Sequence, residues 1–251
     1  MQPVTVVTSF SPNGYALYGK TMLHTFRGYW PAEVEIVAYV EGQSLPGVNC
    51  VDLLQVEACR AFLDRHAHNK VVCGRHRRKG HHWKDGAIRG GYNFRFDAYK
   101  FARKVFAIAD AAKTRTGRLY WVDADCETHA RVDIREVLAL LPDDVALCYL
   151  ARPGYHSECG FVGYNLDAGG RAFIEAFAGV FADDSFQRFS EWHDSYVFDR
   201  MIEELKPVTR PIPHTGGTPV EGSALGRFMR HYKGKRKSDE VAKTLHKRRT
   251  A

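Results

Sequence analysis

Long apolar runs are missing from this sequence of 251 residues, so it holds no candidate for a membrane-spanning helix. The first residues, MQPVTVVTSF, also lack the basic segment and the long apolar stretch of a signal peptide. Both absences lead us to expect a cytoplasmic protein that has no membrane partner.

Paired cysteines of the Cys-x-x-Cys type are absent as well. The six cysteines stand mostly beside apolar residues, which suits reduced, buried thiols better than a disulfide framework. They are Cys50, Cys59, Cys73, Cys126, Cys148 and Cys159. A zinc site drawn through Cys73, His76, His81 and His82 would have irregular spacing and no second cysteine nearby, so the pattern disfavours it.

The positive charge is concentrated in two blocks of the sequence. The net charge is +7, and the segment 227–251 alone has ten Lys and Arg against Asp239 and Glu240. The segment 72–91 has six Lys and Arg against Asp85. Such blocks attract phosphates, either of a nucleotide or along a nucleic acid. For residues 241–251 alone, a solvated end that aids solubility is an equally good interpretation.

The opening of the chain predicts a βαβ unit. Residues 4–10 alternate and are rich in β-branched side chains, and the turn SPNG follows them. Apolar spacing predicts a helix over 15–26, and 34–40 predicts a second strand. A βαβ unit indicates parallel strands in an open α/β sheet.

The remaining pattern continues this alternation. It predicts helices over 55–67, 94–111, 134–141, 168–181 and 191–205, and strands over 118–122, 145–150 and 160–164. The stretch 73–93 has many glycines and no apolar period, which predicts a long loop. We therefore expect one α/β domain over 1–237, with a central mixed sheet flanked by helices, a basic mobile loop at 72–93 and a basic tail at 238–251.

Two aspartates follow the strand predicted at 118–122. In an extended segment, Asp123 and Asp125 would project to the same side, about 6.6 Å apart. Turn formation or helix capping explains one aspartate, but two close carboxylates repel each other unless a cation lies between them. Because Mg²⁺ and Mn²⁺ take oxygen ligands together with substrate phosphates, the pair predicts a Mn²⁺ or Mg²⁺ site at the carboxyl end of a central strand.

A second motif, HYKGKRK, stands about a hundred residues further along at 231–237. His231 can supply an imidazole to the same metal, Gly234 allows close approach of the backbone to a phosphate, and Lys237 can meet a diphosphate as a point charge. With the two aspartates, this motif resembles those of the metal-dependent, nucleotide-sugar glycosyltransferases of the GT-A fold, especially glycogenin-like and galactosyltransferase-like members. Their usual Pro-Trp after the lysine is replaced here by Ser238 and Asp239.

The resemblance implies a nucleoside-diphosphate sugar as donor, most often a UDP-sugar. It places the base and ribose of the donor at the first strand and its following turn, at Val7, Thr8, Ser9 and Phe10. It places Asp123 among the donor-binding residues and near the metal. It also implies that the helix before the aspartates sends Arg95, Lys100 or Lys104 to the diphosphate and Asp97 to uracil or ribose. The alternative for each residue of that helix is an ordinary solvated helix face.

The acceptor side of such enzymes resembles the segments 157–165 and 191–199. We take Asp194 as the first candidate for a base or a sugar-hydroxyl contact, followed by Glu158 and His193. For Asp194, a position in the first turn of a helix is an equally good explanation.

The basic loop at 72–93 indicates which acceptor the protein uses. With its histidines and Trp83 it can follow phosphates and stack on a base, and the chain is similar to the compact phage glycosyltransferases that add sugar to 5-hydroxymethylcytosine in DNA. The DNA-contacting candidates are Arg75, Arg77, Arg78, Lys79, Trp83 and Lys84. In that case the protein works in the cytoplasm of a bacterial host cell.

Two alternative functions stay open. One is a transferase that acts on a saccharide, lipopolysaccharide or protein, and the other is a non-catalytic nucleic-acid-binding module. A metal-dependent nuclease is disfavoured.

Overall fold

The fold is built on one mixed sheet of seven strands. The structure is a computed structural model that describes residues 2–75, 91–216 and 218–232. The strands of the sheet are β1 (Val4–Phe10), β2 (Glu35–Val40), β3 (Asn49–Asp52), β4 (Arg118–Val122), β6 (Leu147–Leu150), β7 (Glu158–Asn165) and β8 (Thr209–Ile212). Their order across the sheet is β3-β2-β1-β4-β7-β6-β8.

Six of these strands run in one direction and β7 runs against them. The pairs β1–β2, β2–β3, β1–β4 and β6–β8 are parallel, whereas β7 is antiparallel to both β4 and β6. The α/β class and the mixed central sheet predicted from the sequence are confirmed. A separate two-stranded ribbon joins β5 (Cys126–Thr128) to β9 (Met229–His231).

Helices cover both faces of the sheet. They are α1 (Pro12–Gly14), α2 (Lys20–Tyr29), α3 (Glu57–His66), α4 (Ala98–Thr114), α5 (Ile134–Ala139), α6 (Gly170–Ala182) and α7 (Asp194–Leu205). One hydrophobic core joins one face of the sheet to α3, α4, α6 and α7, and a second core joins the other face to α2 and α5. Alternation along each strand supplies both cores: Val7 packs in the first core, and Val6 packs in the second.

Two predicted helices differ from the observed ones at their beginnings. The predicted helix over 15–26 begins as a π-helical segment, Tyr15–Gly19, and becomes α-helical only at Lys20. The predicted helix over 94–111 begins as a 3₁₀ turn, Phe94–Phe96, because Asp97 caps α4 by accepting a hydrogen bond from the backbone N–H of Lys100 at 3.0 Å. No helix within the described residues is long and apolar enough to cross a membrane.

Candidate active site

The two aspartates lie where β4 turns into the small ribbon. The backbone N–H of Cys126 donates to the carbonyl of Asp123 at 2.9 Å, so residues 123–126 form a tight turn and not the extended segment expected from the sequence. The indole N–H of Trp121 donates to Oδ1 of Asp123 at 2.7 Å and fixes that side chain. The turn therefore determines where the two carboxylates point.

Strand β9 brings His231 to the aspartates. It pairs with β5 so that His231 lies opposite Cys126, and the backbone N–H of Tyr232 donates to the carbonyl of Asp125 at 3.0 Å. Nε2 of His231 lies 3.0 Å from Oδ1 of Asp125 and 3.7 Å from Oδ2 of Asp123. The imidazole is buried, with the residue 2% exposed.

The imidazole fits because residue 160 has no side chain. A Cβ at Gly160 would lie 2.5 Å from Cε1 and 2.7 Å from Nδ1 of His231, closer than two such atoms approach. Our sequence analysis did not single out Gly160, although a glycine within a strand is a known signal of close approach. On its other side, Nδ1 of His231 lies 3.7 Å from Oε1 of Glu158, a carboxylate that also accepts from the backbone N–H of Gly160.

Lys104 of α4 connects Asp123 to Asp194 at the start of helix α7. Its Nζ lies 3.0 Å from Oδ1 of Asp123 and 2.8 Å from Oδ2 of Asp194, and it donates to the carbonyl of Cys159 at 2.5 Å. Burial opposes the charge on Lys104, but the two carboxylates outweigh it and raise the pKa of Lys104 well above its ordinary value. Burial likewise opposes the charge on Asp194, and Lys104 overcomes it, so the pKa of Asp194 is lowered.

A cavity of about 710 Å³ opens over these side chains, at the carboxyl ends of β1 and β4. It brings together nine of the predicted site residues: Ser9, Lys100, Lys104, Asp123, Asp125, Glu158, His193, Asp194 and His231. Open α/β sheets bind ligands at this edge. One cavity is thus lined by predicted residues of β1, α4, the turn at 123–126 and the segments 157–165 and 191–199.

Two predicted donor-binding residues of β1 lie elsewhere. Thr8 and Phe10 point to the face of the sheet that packs against α2, and both are buried, whereas Ser9 points to the opposite face and lines the cavity. Period-two alternation along β1 explains the separation. Of the three, only Ser9 is placed to contact a ligand in this cavity.

Arg95 and Asp97 are also directed away from the cavity. Nη1 of Arg95 lies 3.3 Å from Oε1 of Glu191, and Asp97 caps α4 and accepts from the hydroxyl of Tyr92 at 2.7 Å. On a continuous helix from residue 94, these two side chains would project about 200° from each other. The 3₁₀ turn before α4 changes their direction.

Several predicted residues lie outside the described part of the chain. They are Arg77, Arg78, Lys79, Trp83, Lys84, Gly234 and Lys237. Arg75 is described, and it is exposed. The phosphate-contacting and DNA-contacting roles of these residues stay predictions.

The cavity also contains cations that the sequence analysis missed. Arg103, one helical step from Lys104, lines it, and its Nε lies 3.3 Å from Oε1 of Glu41. Arg152, in the loop after β6, lines the cavity as well and donates to the carbonyl of His156 at 2.6 Å. The basic residues of α4 were a sufficient signal for Arg103, but nothing in the sequence points to Arg152.

The set formed by Asp123, Asp125 and His231 fits a divalent ion. One ligand atom from each lies within 4.8 Å of the others, and two carboxylate oxygens with one imidazole nitrogen suit Mn²⁺ or Mg²⁺. A diphosphate could complete the coordination from the cavity. These residues would hold the ion on one wall of the cavity, facing Lys104.

Comparisons with known proteins agree with this architecture. No protein-family model matches the chain, and no curated protein matches it in sequence. The fold is similar to that of mouse xyloside xylosyltransferase 1 in its apo crystal structure, with a TM-score of 0.52, 10% sequence identity, and coverage of 83% of this chain and 84% of that one. That protein is a glycosyltransferase with a GT-A fold, and this chain shares the fold.

Proposed function

We propose that this protein is a metal-dependent glycosyltransferase, which moves a sugar from a nucleoside-diphosphate sugar to a hydroxyl acceptor. One observation carries the proposal. The chain brings Asp123, Asp125 and His231 within 4.8 Å of one another at a cavity of about 710 Å³, although His231 is 106 residues from Asp125. The shared GT-A fold supports the same reaction class.

The site would promote transfer mainly by electrostatic stabilisation of the leaving diphosphate. When the bond between the anomeric carbon and the diphosphate breaks, negative charge develops on the leaving phosphate. A bound Mn²⁺ or Mg²⁺ would supply a Lewis acid that neutralises part of this charge. Lys104 and Arg103 line the same cavity and add fixed positive charge, and Lys104 stays protonated because Asp123 and Asp194 raise its pKa.

The donor is proposed to be a UDP-sugar. Ser9, at the cavity end of β1, is placed to contact its base or ribose, and Lys100 is the second cation of α4 on the cavity wall that was predicted from the sequence. Gly234 and Lys237 remain our candidates for the diphosphate beyond His231, since they complete the motif resemblance.

Asp194 is the proposed contact to the acceptor hydroxyl, with Glu158 and His193 next in order; all three line the cavity. Lys104 lowers the pKa of Asp194, which makes this carboxylate a weaker base than an unpaired one. We therefore favour a hydrogen bond from a sugar or acceptor hydroxyl to Asp194 over complete proton removal by it.

For the acceptor, we propose 5-hydroxymethylcytosine in DNA. The support lies in the two basic blocks of the sequence and in a second cavity of about 770 Å³ beside the first. Arg95 and Arg200, which pair with Glu191 and Glu203, line that second cavity. The exposed rings of Phe94 and Tyr155 line it as well. Cations that meet phosphates and rings that stack on bases are what an extruded nucleotide requires.

A saccharide acceptor is the second candidate, because the name of the structurally similar mouse enzyme states that it acts on a xyloside. The same cavity and rings would serve a sugar through stacking and hydroxyl contacts. It requires neither the basic loop nor duplex DNA.

One experiment separates the candidates. The protein is incubated with Mn²⁺, a panel of sugar nucleotides, and either hydroxymethylated DNA, plain DNA or an oligosaccharide that carries a terminal xyloside, and products are identified by mass spectrometry. Sugar on hydroxymethylated DNA alone supports our proposal, and sugar on the oligosaccharide alone supports the second candidate. DNA binding without hydrolysis or transfer of any donor would contradict both and favour the non-catalytic module.

A further inference from the structure

A second cluster of ligand-type side chains lies outside the site assigned to the donor. His156, in the loop before β7, meets Glu191 and His193, which immediately precede α7. One ligand atom from each residue lies within 4.8 Å of the others. We propose that these three residues form a binding site for a transition-metal ion of the Zn²⁺ type, distinct from the site at Asp123, Asp125 and His231.

The distances suit one ion. Oε2 of Glu191 lies 3.0 Å from Nε2 of His193 and 3.7 Å from Nε2 of His156. Ligands of one tetrahedral zinc ion, each bound at about 2.1 Å, lie about 3.4 Å from one another. The two distances to Glu191 lie on either side of that separation, and the ligand nitrogens of the two histidines lie within 4.8 Å of each other.

Two of the ligands have a charged neighbour on the side away from the proposed ion. Oδ2 of Asp199 lies 3.7 Å from Nδ1 of His156 and accepts from the backbone N–H of Ser157 at 3.0 Å. The other carboxylate oxygen of Glu191 faces Nη1 of Arg95 at 3.3 Å. A carboxylate behind a metal-bound imidazole fixes its tautomer and leaves Nε2 for the metal.

The ligand type separates this site from the first one. Two imidazole nitrogens and one carboxylate prefer Zn²⁺, Co²⁺ or Ni²⁺, whereas the two carboxylates and one imidazole at the donor cavity are suited to harder ions. His193 lines both cavities, so the ion would lie between them with an open position. A water or an oxygen of a bound acceptor could occupy that position. The existence of this site does not depend on the proposed glycosyl transfer.

Metal binding would change which ring nitrogen of His193 has the proton. Its Nδ1 accepts a weak hydrogen bond from the backbone N–H of Tyr196 at 3.4 Å, so the neutral ring has its proton on Nε2, facing Glu191. Coordination through Nε2 moves that proton to Nδ1 and breaks the bond to Tyr196. The amide of Tyr196 should then exchange its hydrogen faster when metal is bound.

The test uses the full chain with the donor site removed. The variant Asp125→Asn/His231→Gln is stripped of metal with a chelator and titrated with Co²⁺, and binding is followed by visible absorption. We expect it to bind Co²⁺, and we expect His156→Gln or Glu191→Gln in this background to weaken binding at least tenfold. His24→Gln, at an exposed histidine of α2, is the matched control and should change nothing.

Asp199→Asn supplies the second measurement, because it removes the negative charge beside His156 and keeps a side-chain oxygen that can accept from Ser157. We expect Co²⁺ affinity about 10-fold lower, the usual effect of losing such a partner. Absence of Co²⁺ binding in the starting variant, despite an unchanged circular dichroism spectrum, would overturn the proposal. So would binding that His156→Gln and Glu191→Gln leave intact, which would place the ion elsewhere, for instance at His76, His81 and His82.

Discussion

His231 and Asp125 meet, Nε2 to Oδ1, at 3.0 Å although they are 106 residues apart. The contact depends on the short ribbon in which β9 pairs with β5. Two strands of three residues thus determine whether the proposed metal ligands form one site.

Asp125→Ala should abolish sugar transfer, with kcat at least about 100-fold lower, because it removes one of the three residues that would hold the proposed ion. Release of the nucleoside diphosphate at saturating donor is the measurement. Asp64→Ala, at an exposed aspartate of α3, is the control and should retain normal turnover. Turnover in Asp125→Ala close to that of the unchanged protein would remove the metal from the mechanism.

Gly160→Ala should weaken metal binding without removing any ligand. The new methyl group would lie 2.5 Å from Cε1 of His231 and push the imidazole away from Asp125. We expect Mn²⁺ affinity at least 10-fold lower, measured by calorimetry.

Gly179→Ala is the control for this substitution. Gly179 lies in α6 with nothing within 4 Å of its added methyl group. The change should stabilise the helix by about 0.5–1 kcal/mol and leave Mn²⁺ affinity alone. Equal Mn²⁺ affinities in the two variants would mean that His231 does not need the space at Gly160.

Much of the fold follows from simple patterns in the sequence. The predicted strands at 4–10 and 118–122 coincide with β1 and β4, because both are buried and bounded by clear turns. The strands β3, β5, β8 and β9 were missed. Each has only three or four residues, too few for a period, and their pairing depends on tertiary contacts.

The candidate site was also predicted only in part, because some of its geometry depends on tertiary contacts. Residue types and spacing marked Asp123, Asp125 and His231, which do share a cavity. The opposite directions of Thr8 and Ser9 follow from the alternation that the sequence itself shows. The direction of Arg95 depends on a 3₁₀ turn that the sequence pattern did not indicate. Gly160 matters through His231, which is distant in sequence, and Arg152 was missed because it lies in an irregular loop.

Lys104→Met should destabilise the protein by about 3–5 kcal/mol at pH 7, because it leaves the buried carboxylate of Asp194 without its partner. The double variant Lys104→Met/Asp194→Asn should recover part of this loss. Urea unfolding of both single variants and the double variant gives the coupling energy. Additive effects in this cycle would show that the pair does not interact.

The pH dependence of stability follows from the same pair. The pKa of Asp194 is lowered in the folded state, so its contribution is present above the ordinary pKa of an aspartate, about 3.9, and is lost as the pH falls through the lower folded value. Asp194→Asn should therefore flatten the decline of unfolding free energy below about pH 4. An unchanged acid profile would mean that the folded protein does not favour ionised Asp194.

Binding to DNA should weaken as salt increases, if DNA is the acceptor. Replacing Arg77, Arg78 and Lys79 by alanine should reduce the slope of log affinity against log salt by about 3, since each lost phosphate contact contributes about 0.9. Arg135→Ala, at an exposed cation of α5 with a short-range partner in Asp133, should leave the slope unchanged. Affinity that does not vary with salt would exclude the basic loop as a DNA contact.

The most direct test of the central claim is Mn²⁺ binding, measured by electron paramagnetic resonance in the presence of a nucleoside diphosphate. The account predicts one bound ion for the unchanged chain, and none at the same concentrations for Asp125→Ala or His231→Ala. Equal Mn²⁺ binding by all three proteins would contradict it.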